Sequence, residues 1–270
     1  MSKPDFIVPE WPAPAGIRAV FTLRTGGVSR TPFDTFNIGA RVGDDPDAVA
    51  RNRAGLRASL ELPVEPAWLE QVHGNQVVDL DGQAALEPQS PRRGDAAVSR
   101  SPGRVCAIQV ADCMPVLFAA RDGSAVGAAH AGWRGLAGGV LEATVRAMNA
   151  PPAVLLAWMG PAIGQANFEV GEEVRAAFSD ADPDAATAFV ANDRGRWQCD
   201  LYALARRRLA ALGVTSVHGG GWCTFSDAKR FFSYRRDGRC GRMSALIWRQ
   251  SPPFPRQPNP TSRSSSDADG

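Results

Sequence analysis

The chain has 270 residues, of which 44% are hydrophobic and 21% are charged, so it can bury a sizeable core in one large or two small domains. Its formal charge of +2 lacks the strong basic bias of nucleic-acid-binding proteins, and we expect no nucleic-acid partner. No apolar run approaches the roughly 20 residues of a membrane span, and no signal peptide is visible, so we expect a cytoplasmic protein. The five cysteines form no CxxC pair, which favours free thiols over a disulfide framework.

The sequence pattern mixes strands and helices without strict alternation. The first half of the sequence begins with a proline-rich lead-in over 1–17, which is followed by a predicted strand over 19–23 and a predicted helix over 44–62 with Asp45 as its N-cap. Two strands around a turn are predicted within 67–80, then a polar loop over 81–103 and β-structure over 105–129. The second half predicts a helix over 136–148, a strand over 153–163, helices over 170–179 and 200–213, and strands over 215–225 and 243–249.

This mixture favours an α+β fold, with mixed β-sheets flanked by helices, over a Rossmann-like fold. No linker divides residues 18–250, so we expect a single domain there. The tail over 251–270 is rich in proline and serine and has almost no apolar content. Such a segment cannot bury enough apolar surface to order itself, and we expect it to be disordered.

A predicted hairpin brings a cysteine and a histidine to its open end. The segments "PVLFAA" and "AVGAAH" are separated by "RDGS", which is a hairpin turn signal. With the Asp-Gly pair as the turn, Cys113 faces position 132 and His130 faces Pro115. Diagonal neighbours on paired strands lie about 7–8 Å apart, and a bulge at the proline would bring them closer. The sequence therefore predicts that the thiol and the imidazole converge.

A second histidine, His73, lies in "EQVHGN" at another strand-to-turn junction. Two histidines and one cysteine are a common zinc-binding set, and three protein ligands leave a fourth position open for water, as a catalytic site requires. The same residues also fit a cysteine hydrolase with Cys113 as nucleophile and His130 as base. They fit ordinary core residues as well, so the residues alone leave these alternatives open. The third histidine, His218, is expected to be structural.

Five long motifs follow one another along the chain: "EQVHGNQVV", "ADCMPVLFA", "AAHAGWRG", "MGPAIGQANFEVGEEV" and "CTFSDAKRFFSYRRDGRCGRMSALIW". Together they resemble the YfiH/laccase-domain family, whose members have been called polyphenol oxidases and purine nucleoside phosphorylases. The resemblance covers residues 18–249 and implies that 18–250 form a YfiH-like catalytic domain with an α/β/β/α-like arrangement. It also implies a zinc bound by His73, Cys113 and His130, with copper only as an adventitious occupant.

The resemblance implies phosphorolysis of adenosine, inosine, guanosine and methylthioadenosine, and hydrolytic deamination of adenosine. Purine nucleosides and phosphate are then the expected partners. Arg53 and Arg134 are the candidates for phosphate, because a guanidinium binds oxyanions in a bidentate manner. Asn37 is a candidate for hydrogen bonds to ribose or base. Deamination also needs a proton shuttle. Glu70 and Asp112 are nearby candidates in the sequence, although strand alternation places Asp112 opposite the neighbouring cysteine.

Other functions compete with this interpretation. Some bacterial members of the resembled family are linked to peptidoglycan-precursor editing, for which Cys113 would act as in a cysteine hydrolase. A binding protein with a structural zinc is disfavoured, because such a site normally closes with four protein ligands, unless His218 or Cys223 joins. A multicopper oxidase is excluded, because the chain has three histidines and no His-x-His pair.

Overall fold

The computed structural model describes residues 4–82 and 92–250, so the predicted disorder of 251–270 lies outside the described residues. The strands are β1 (Phe6–Ile7), β2 (Ile17–Thr22), β3 (Val77–Asp79), β4 (Ala96–Ser99), β5 (Val105–Val110), β6 (Met114–Ala120), β7 (Val126–Ala131), β8 (Leu155–Met159), β9 (Glu169–Val170), β10 (Phe189–Ala191), β11 (Trp197–Cys199), β12 (Ser216–Gly219) and β13 (Met243–Arg249). The α-helices are α1 (Pro46–Leu60), α2 (Trp133–Ala137), α3 (Val140–Ala147), α4 (Glu172–Ser179), α5 (Leu201–Ala211) and α6 (Tyr234–Asp237). Short 3-10 helices cover Pro152–Val154, Gln165–Asn167 and Pro183–Ala188.

The strands form three sheets. A six-stranded sheet has the order β12-β8-β6-β7-β4-β3, with antiparallel pairs in its centre and a parallel pair at each edge. A four-stranded antiparallel sheet has the order β1-β2-β13-β5. A small antiparallel sheet has the order β10-β11-β9.

The core consists of successive layers that bury both faces of the two large sheets. Along β6, Val116 and Phe118 pack with helices α3, α4 and α5, whereas Leu117 and Ala119 pack against the four-stranded sheet. The outer face of the four-stranded sheet packs on α1 through Leu56. Because each layer buries its alternate side chains, the order is helix, sheet, sheet, helix. The expected α+β fold with an α/β/β/α-like arrangement is thus confirmed.

Several local predictions are also confirmed. Helix α1 starts as expected, because the Asp45 side chain accepts a hydrogen bond from Asp47 N and Pro46 occupies the first turn. The β6–β7 hairpin has the predicted register, with Pro115 opposite His130.

No helix in the two described ranges is long and apolar enough to cross a membrane.

The structure differs from the sequence prediction at several places. The strand expected over 215–225 covers only Ser216–Gly219. The polar stretch 81–103 contains β4, whose four residues are all buried, so it is not only a loop. The lead-in is tied to the sheet, because β1 pairs with β2. The predicted helix over 136–148 is divided into α2 and α3 at Gly139, which has a positive φ of 85°. The strand expected before the turn in 67–80 forms only isolated bridges at Ala67 and Glu70.

Candidate functional site

The structure brings the three predicted ligands together at the open end of the β6–β7 hairpin. His130 lies in β7, Cys113 directly precedes β6, and His73 lies in the turn before β3. Their ligand atoms all lie within 4.8 Å of one another, and Cys113 Sγ is 3.8 Å from His73 Nε2. A tetrahedral zinc ion with one sulfur and one nitrogen ligand needs these two atoms about 3.6 Å apart. The donor set, and the spacing of this cysteine–histidine pair, therefore fit a zinc ion.

Gly132 makes room for this cluster. The hairpin register pairs Met114 with Ala131, so position 132 lies opposite Cys113, as the turn predicted. A Cβ atom at Gly132 would lie 2.8 Å from Cys113 Sγ and 3.2 Å from His73 Cδ2. Any larger residue would displace a ligand, so the glycine is a steric requirement of the site.

Asp95, the residue before β4, holds both histidines in place. It is fully buried, and its Oδ1 pairs with His130 Nδ1 at 2.9 Å. The same carboxylate accepts hydrogen bonds from the backbone N–H groups of Val72, His73 and Gly74 at 3.1, 2.9 and 2.7 Å. These bonds support the turn in which His73 has a positive φ of 62°. With Nδ1 of His130 bound to the carboxylate, Nε2 is the nitrogen left for a metal.

The electrostatics of the cluster favour a thiolate. Burial opposes ionisation of Cys113, but the neighbouring His130 and His73 outweigh it and lower the pKa of the thiol to about 6. Burial also opposes the charge on His130, whereas Cys113 and Asp95 raise the pKa of its imidazole to about 9. The pKa of Asp95 is lowered despite its burial, because His130 and the backbone N–H groups bind its carboxylate. A thiolate is the form of cysteine that binds a metal or attacks an electrophile.

A cavity of about 590 Å³ adjoins the cluster, which is the size of a small-molecule site. Its lining combines cationic and aromatic groups with the candidate ligands. These lining residues are Arg41, Arg53, Arg134, Arg235 and Arg242, and Trp68, Trp133, Phe168 and Tyr234. Guanidinium groups suit an oxyanion and aromatic faces suit a planar ring, so the cavity fits a ligand or ligand pair that has both.

The two arginines predicted to bind phosphate, Arg53 and Arg134, both line this cavity. They differ in how many of their N–H donors are already hydrogen-bonded. Arg134 follows the site glycine closely in α2, and its guanidinium lies 4.4 Å from the centre of the Trp133 ring. Its side chain makes no hydrogen bond or ion pair within residues 4–82 and 92–250. Arg53 instead donates from Nε and Nη2 to the carbonyl of Ile38 at 3.0 and 2.9 Å, and it stacks on Trp68 at 4.3 Å.

Asn37 lies behind the cavity surface. It is fully buried, and its Nδ2 donates to Gly39 O at 3.2 Å and to Asp44 Oδ2 at 2.8 Å. Its Oδ1 accepts from Gly39 N and Arg242 N. Since Gly39 and Arg242 line the cavity, Asn37 shapes the wall that they form. Its direct contact with ribose or base stays a prediction.

The two carboxylates considered as proton shuttles are both engaged. Asp112 has a positive φ of 86°, and its carboxylate accepts from Thr224 Oγ1 and from Arg235 N at 2.7 Å. Glu70 pairs with Arg41 at 2.7 Å. These contacts give Asp112 and Glu70 roles in holding the cavity wall together.

The sequence does not reveal a role for Asp95 or Gly132. Asp95 lies 35 residues before His130, in a stretch with the pattern of a polar loop, and it belongs to no recognisable motif. The hairpin register places position 132 opposite the cysteine but does not show that a glycine is needed there. Among the described residues, His73, Cys113 and His130 are the one cluster of three or more side chains arranged to hold a metal ion. His218 instead bonds Ser216 Oγ at 2.9 Å on strand β12.

A mixed α/β domain with a His–Cys–His ligand set on the wall of a ligand-sized cavity defines a candidate metalloenzyme. The chain belongs to the family described as multi-copper polyphenol oxidoreductase laccase, whose model matches residues 18–250. This confirms the resemblance to the YfiH/laccase-domain family.

Named relatives and a solved structure cover nearly the whole chain. A Pseudomonas aeruginosa protein named purine nucleoside phosphorylase is 54% identical over 91% of this chain and 98% of its own. The Escherichia coli protein named purine nucleoside phosphorylase YfiH is 51% identical over 92% of this chain and 99% of its own. The crystal structure of a Neisseria meningitidis protein, assigned to the DUF152 family, is 47% identical with a TM-score of 0.86, and covers 91% of this chain and 99% of that one.

Proposed function

We propose that this protein is a zinc-dependent purine nucleoside phosphorylase, with His73, Cys113 and His130 as the metal ligands. The observation that carries the proposal is the convergence of these three side chains beside a cavity lined by arginines and aromatic rings. The names of relatives at 54% and 51% identity support the reaction class. Adenosine, inosine, guanosine and methylthioadenosine are the proposed nucleosides, and phosphate is the second substrate.

The donor set supports zinc as the metal. Two imidazoles and one thiolate are typical zinc ligands, and a three-ligand site leaves one position for an exchangeable ligand. When bound, zinc supplies a Lewis acid that polarises an oxygen next to it. Multicopper chemistry does not fit, because the chain has three histidines in total and no His-x-His pair. Copper would enter this site only adventitiously.

Phosphorolysis needs an anion site and a place for a planar base. In this reaction a phosphate oxygen bonds to C1′ of the ribose while the C1′–N9 bond breaks. The bonding electron pair leaves with the purine, which takes up a proton. Arg134 is the proposed phosphate ligand, because it lies close to the metal ligands in sequence and space and none of the described residues uses its donors. Arg53 has one terminal nitrogen that bonds none of the described residues, and it would contribute less.

We also propose hydrolytic deamination of adenosine as a second reaction of the same cavity. It replaces the 6-amino group with an oxygen from water and releases ammonia. This reaction needs a proton shuttle. Because Asp112 and Glu70 are engaged with other groups, the residues favour phosphorolysis over deamination.

The test measures metal content and adenosine turnover, with and without phosphate, before and after chelation. About one zinc per chain is expected, with free adenine appearing only when phosphate is present. Turnover should be lost on chelation and return with added zinc. Inosine without phosphate would show deamination. A protein that is inert on nucleosides, or whose turnover is indifferent to chelation, would contradict the proposal.

One arrangement favours a second candidate, a cysteine hydrolase that edits peptidoglycan precursors. The site contains the three groups of a cysteine nucleophile site. They are the thiolate of Cys113, the imidazole of His130 and the carboxylate of Asp95, which orients that imidazole. Chelation separates the two candidates, because a metal-free hydrolase keeps its turnover of a nucleotide-sugar amino acid. Alkylation of Cys113 disables both and does not distinguish them.

A further inference from the structure

Gln109, near the end of β5, has a fixed backbone and a free carboxamide. Gln71 Nε2 donates to Gln109 O at 2.8 Å, and Gln109 N donates to Gln71 Oε1 at 2.8 Å. Gln109 is one of the residues that line the cavity, and its side chain makes no hydrogen bond to any residue in the part of the chain that the structure describes. A carboxamide on a fixed backbone, with both its donor and its acceptor free, is suited to hydrogen-bond the polar edge of a ligand in the cavity.

Flat side chains lie on the same face of the sheet as Gln109 and line the same cavity. Alternation along β5 puts Gln109 on the face of Val105 and Ala107, and that face packs with Trp68. Trp68 itself lines the cavity, and the Arg53 guanidinium stacks on it at 4.3 Å. Nucleobases are commonly bound by stacking on aromatic or guanidinium planes together with hydrogen bonds to the base edge.

We propose that Gln109 reads the base of the purine nucleoside, with Trp68 and Arg53 as the flat wall beside it. This inference rests on the proposed nucleoside phosphorylase function. A carboxamide can donate to N1 and accept from the 6-amino group of adenine. After a rotation that exchanges its oxygen and nitrogen, the carboxamide can accept from N1–H and donate to O6 of hypoxanthine or guanine. One glutamine therefore accepts both 6-amino and 6-oxo purines.

The proposed contact also implies a direction for the nucleoside. Four residue steps separate Gln109 from Cys113, so their Cα atoms are at most about 14 Å apart and one bound molecule can lie beside both residues. With its base edge at Gln109, the nucleoside would have its ribose on the side of the metal ligands and Arg134, where phosphate is proposed to bind. This direction places C1′ near the phosphate and turns C6 of adenine away from the metal ligands. Deamination would require the reverse orientation.

The test is the base selectivity of Gln109→Glu, measured as phosphate-dependent release of base from guanosine, inosine and adenosine. A carboxylate accepts two hydrogen bonds from N1–H and the 2-amino group of guanine, but it faces the N1 lone pair of adenine. The ratio of kcat/KM for guanosine to that for adenosine should rise by roughly tenfold to a hundredfold, the size of one charge-assisted hydrogen bond. Gln250→Glu makes the same chemical change at an exposed residue outside the cavity lining and should leave the ratio unchanged.

Each failure has its own signature. If the wild-type protein releases no base from any nucleoside, the proposed function fails and this inference fails with it. If the wild-type protein is active but the ratio is the same in Gln109→Glu and Gln250→Glu, only the role of Gln109 is overturned. If Gln109→Glu loses turnover altogether, base selectivity is measured by calorimetry instead. The dissociation constants of guanosine and adenosine for the folded variant are then compared as a ratio with those of the wild-type protein. An unchanged binding ratio overturns the inference as well.

Discussion

Asp95 and His130 are joined by two hydrogen bonds, one between side chains and one between backbones. The Asp95 carboxylate pairs with His130 Nδ1 at 2.9 Å, and the Asp95 carbonyl accepts from the His130 backbone N–H at 2.7 Å. The same carboxylate also binds the backbone of residues 72–74. One buried residue thus sets the position of two of the three candidate metal ligands.

Asp95→Asn should weaken zinc binding by about tenfold to a hundredfold, the usual effect of losing an orienting partner of a metal-bound histidine. The amide has one acceptor oxygen and no charge, so it cannot hold His130 and the 72–74 turn together. Competition with a chromophoric chelator measures the affinity.

Asp81→Asn is the matched control for this substitution. Asp81 likewise accepts hydrogen bonds from a loop, namely from Ser99 Oγ, Arg100 N and Ser101 N, but it contacts no candidate ligand. The Asp81→Asn substitution should therefore leave the zinc affinity unchanged. Equal zinc affinity in Asp95→Asn and Asp81→Asn would show that Asp95 does not orient the site.

Gly132→Ala should abolish zinc binding with little change in the fold. The backbone at Gly132 has φ −65° and ψ 161°, which suits alanine, so the effect is steric. The new methyl group would lie 2.8 Å from Cys113 Sγ. Metal content after purification and a thermal unfolding curve measure the two effects separately.

Gly55→Ala is a glycine control in the same protein. A Cβ atom there meets nothing within 4 Å, and the residue lies inside α1. This variant should keep its zinc and gain about 0.5–1 kcal/mol in free energy of unfolding. If Gly132→Ala also kept its zinc, the close contact with the cysteine would not matter for the site.

Zinc should protect Cys113 from alkylation. In the metal-free protein the pKa of this half-buried thiol is lowered to about 6, because His130 and His73 outweigh its burial, so the thiolate predominates at neutral pH. Coordination occupies the sulfur and should slow modification by iodoacetamide, as measured by mass spectrometry of peptides. Cys223 is the internal reference, since it is also half-buried and lies outside the metal cluster. Protection of both cysteines, or of neither, would contradict zinc ligation by Cys113.

The local parts of the site could be predicted from the sequence. The "RDGS" turn fixes the register of β6 and β7, and that register alone places Cys113 near His130. The N-cap of α1 is similarly local, because Asp45 and Pro46 act within one turn of helix. Such features need no knowledge of distant residues.

The remaining parts depend on contacts between distant segments. Asp95 reaches His130 only because β4 pairs with β7, and β4 itself is short and lies in a polar stretch. The free carboxamide of Gln109 is visible only when Gln71, 38 residues earlier, is seen to satisfy its backbone. No periodicity or spacing encodes these pairings, so the fold has to be known first.

Arg134→Met should raise the KM for phosphate by about tenfold to a hundredfold, while kcat at saturating phosphate falls less. The reason is the loss of a charge-assisted contact from a guanidinium whose donors no described residue uses. Methionine keeps an unbranched apolar stem, so the packing against Trp133 is partly retained. Initial rates of base release at varied phosphate measure the effect.

Arg146→Met removes another exposed arginine, which lies in α3 outside the cavity lining, and should leave the KM for phosphate unchanged. Because both variants lower the net charge by one, a general electrostatic effect on phosphate would appear in both. An increase confined to Arg134→Met therefore identifies a local contact with phosphate. If the two variants share the same small increase, the phosphate lies elsewhere in the cavity. Arg53, whose Nη1 bonds no residue within 4–82 and 92–250, then becomes the residue to test next.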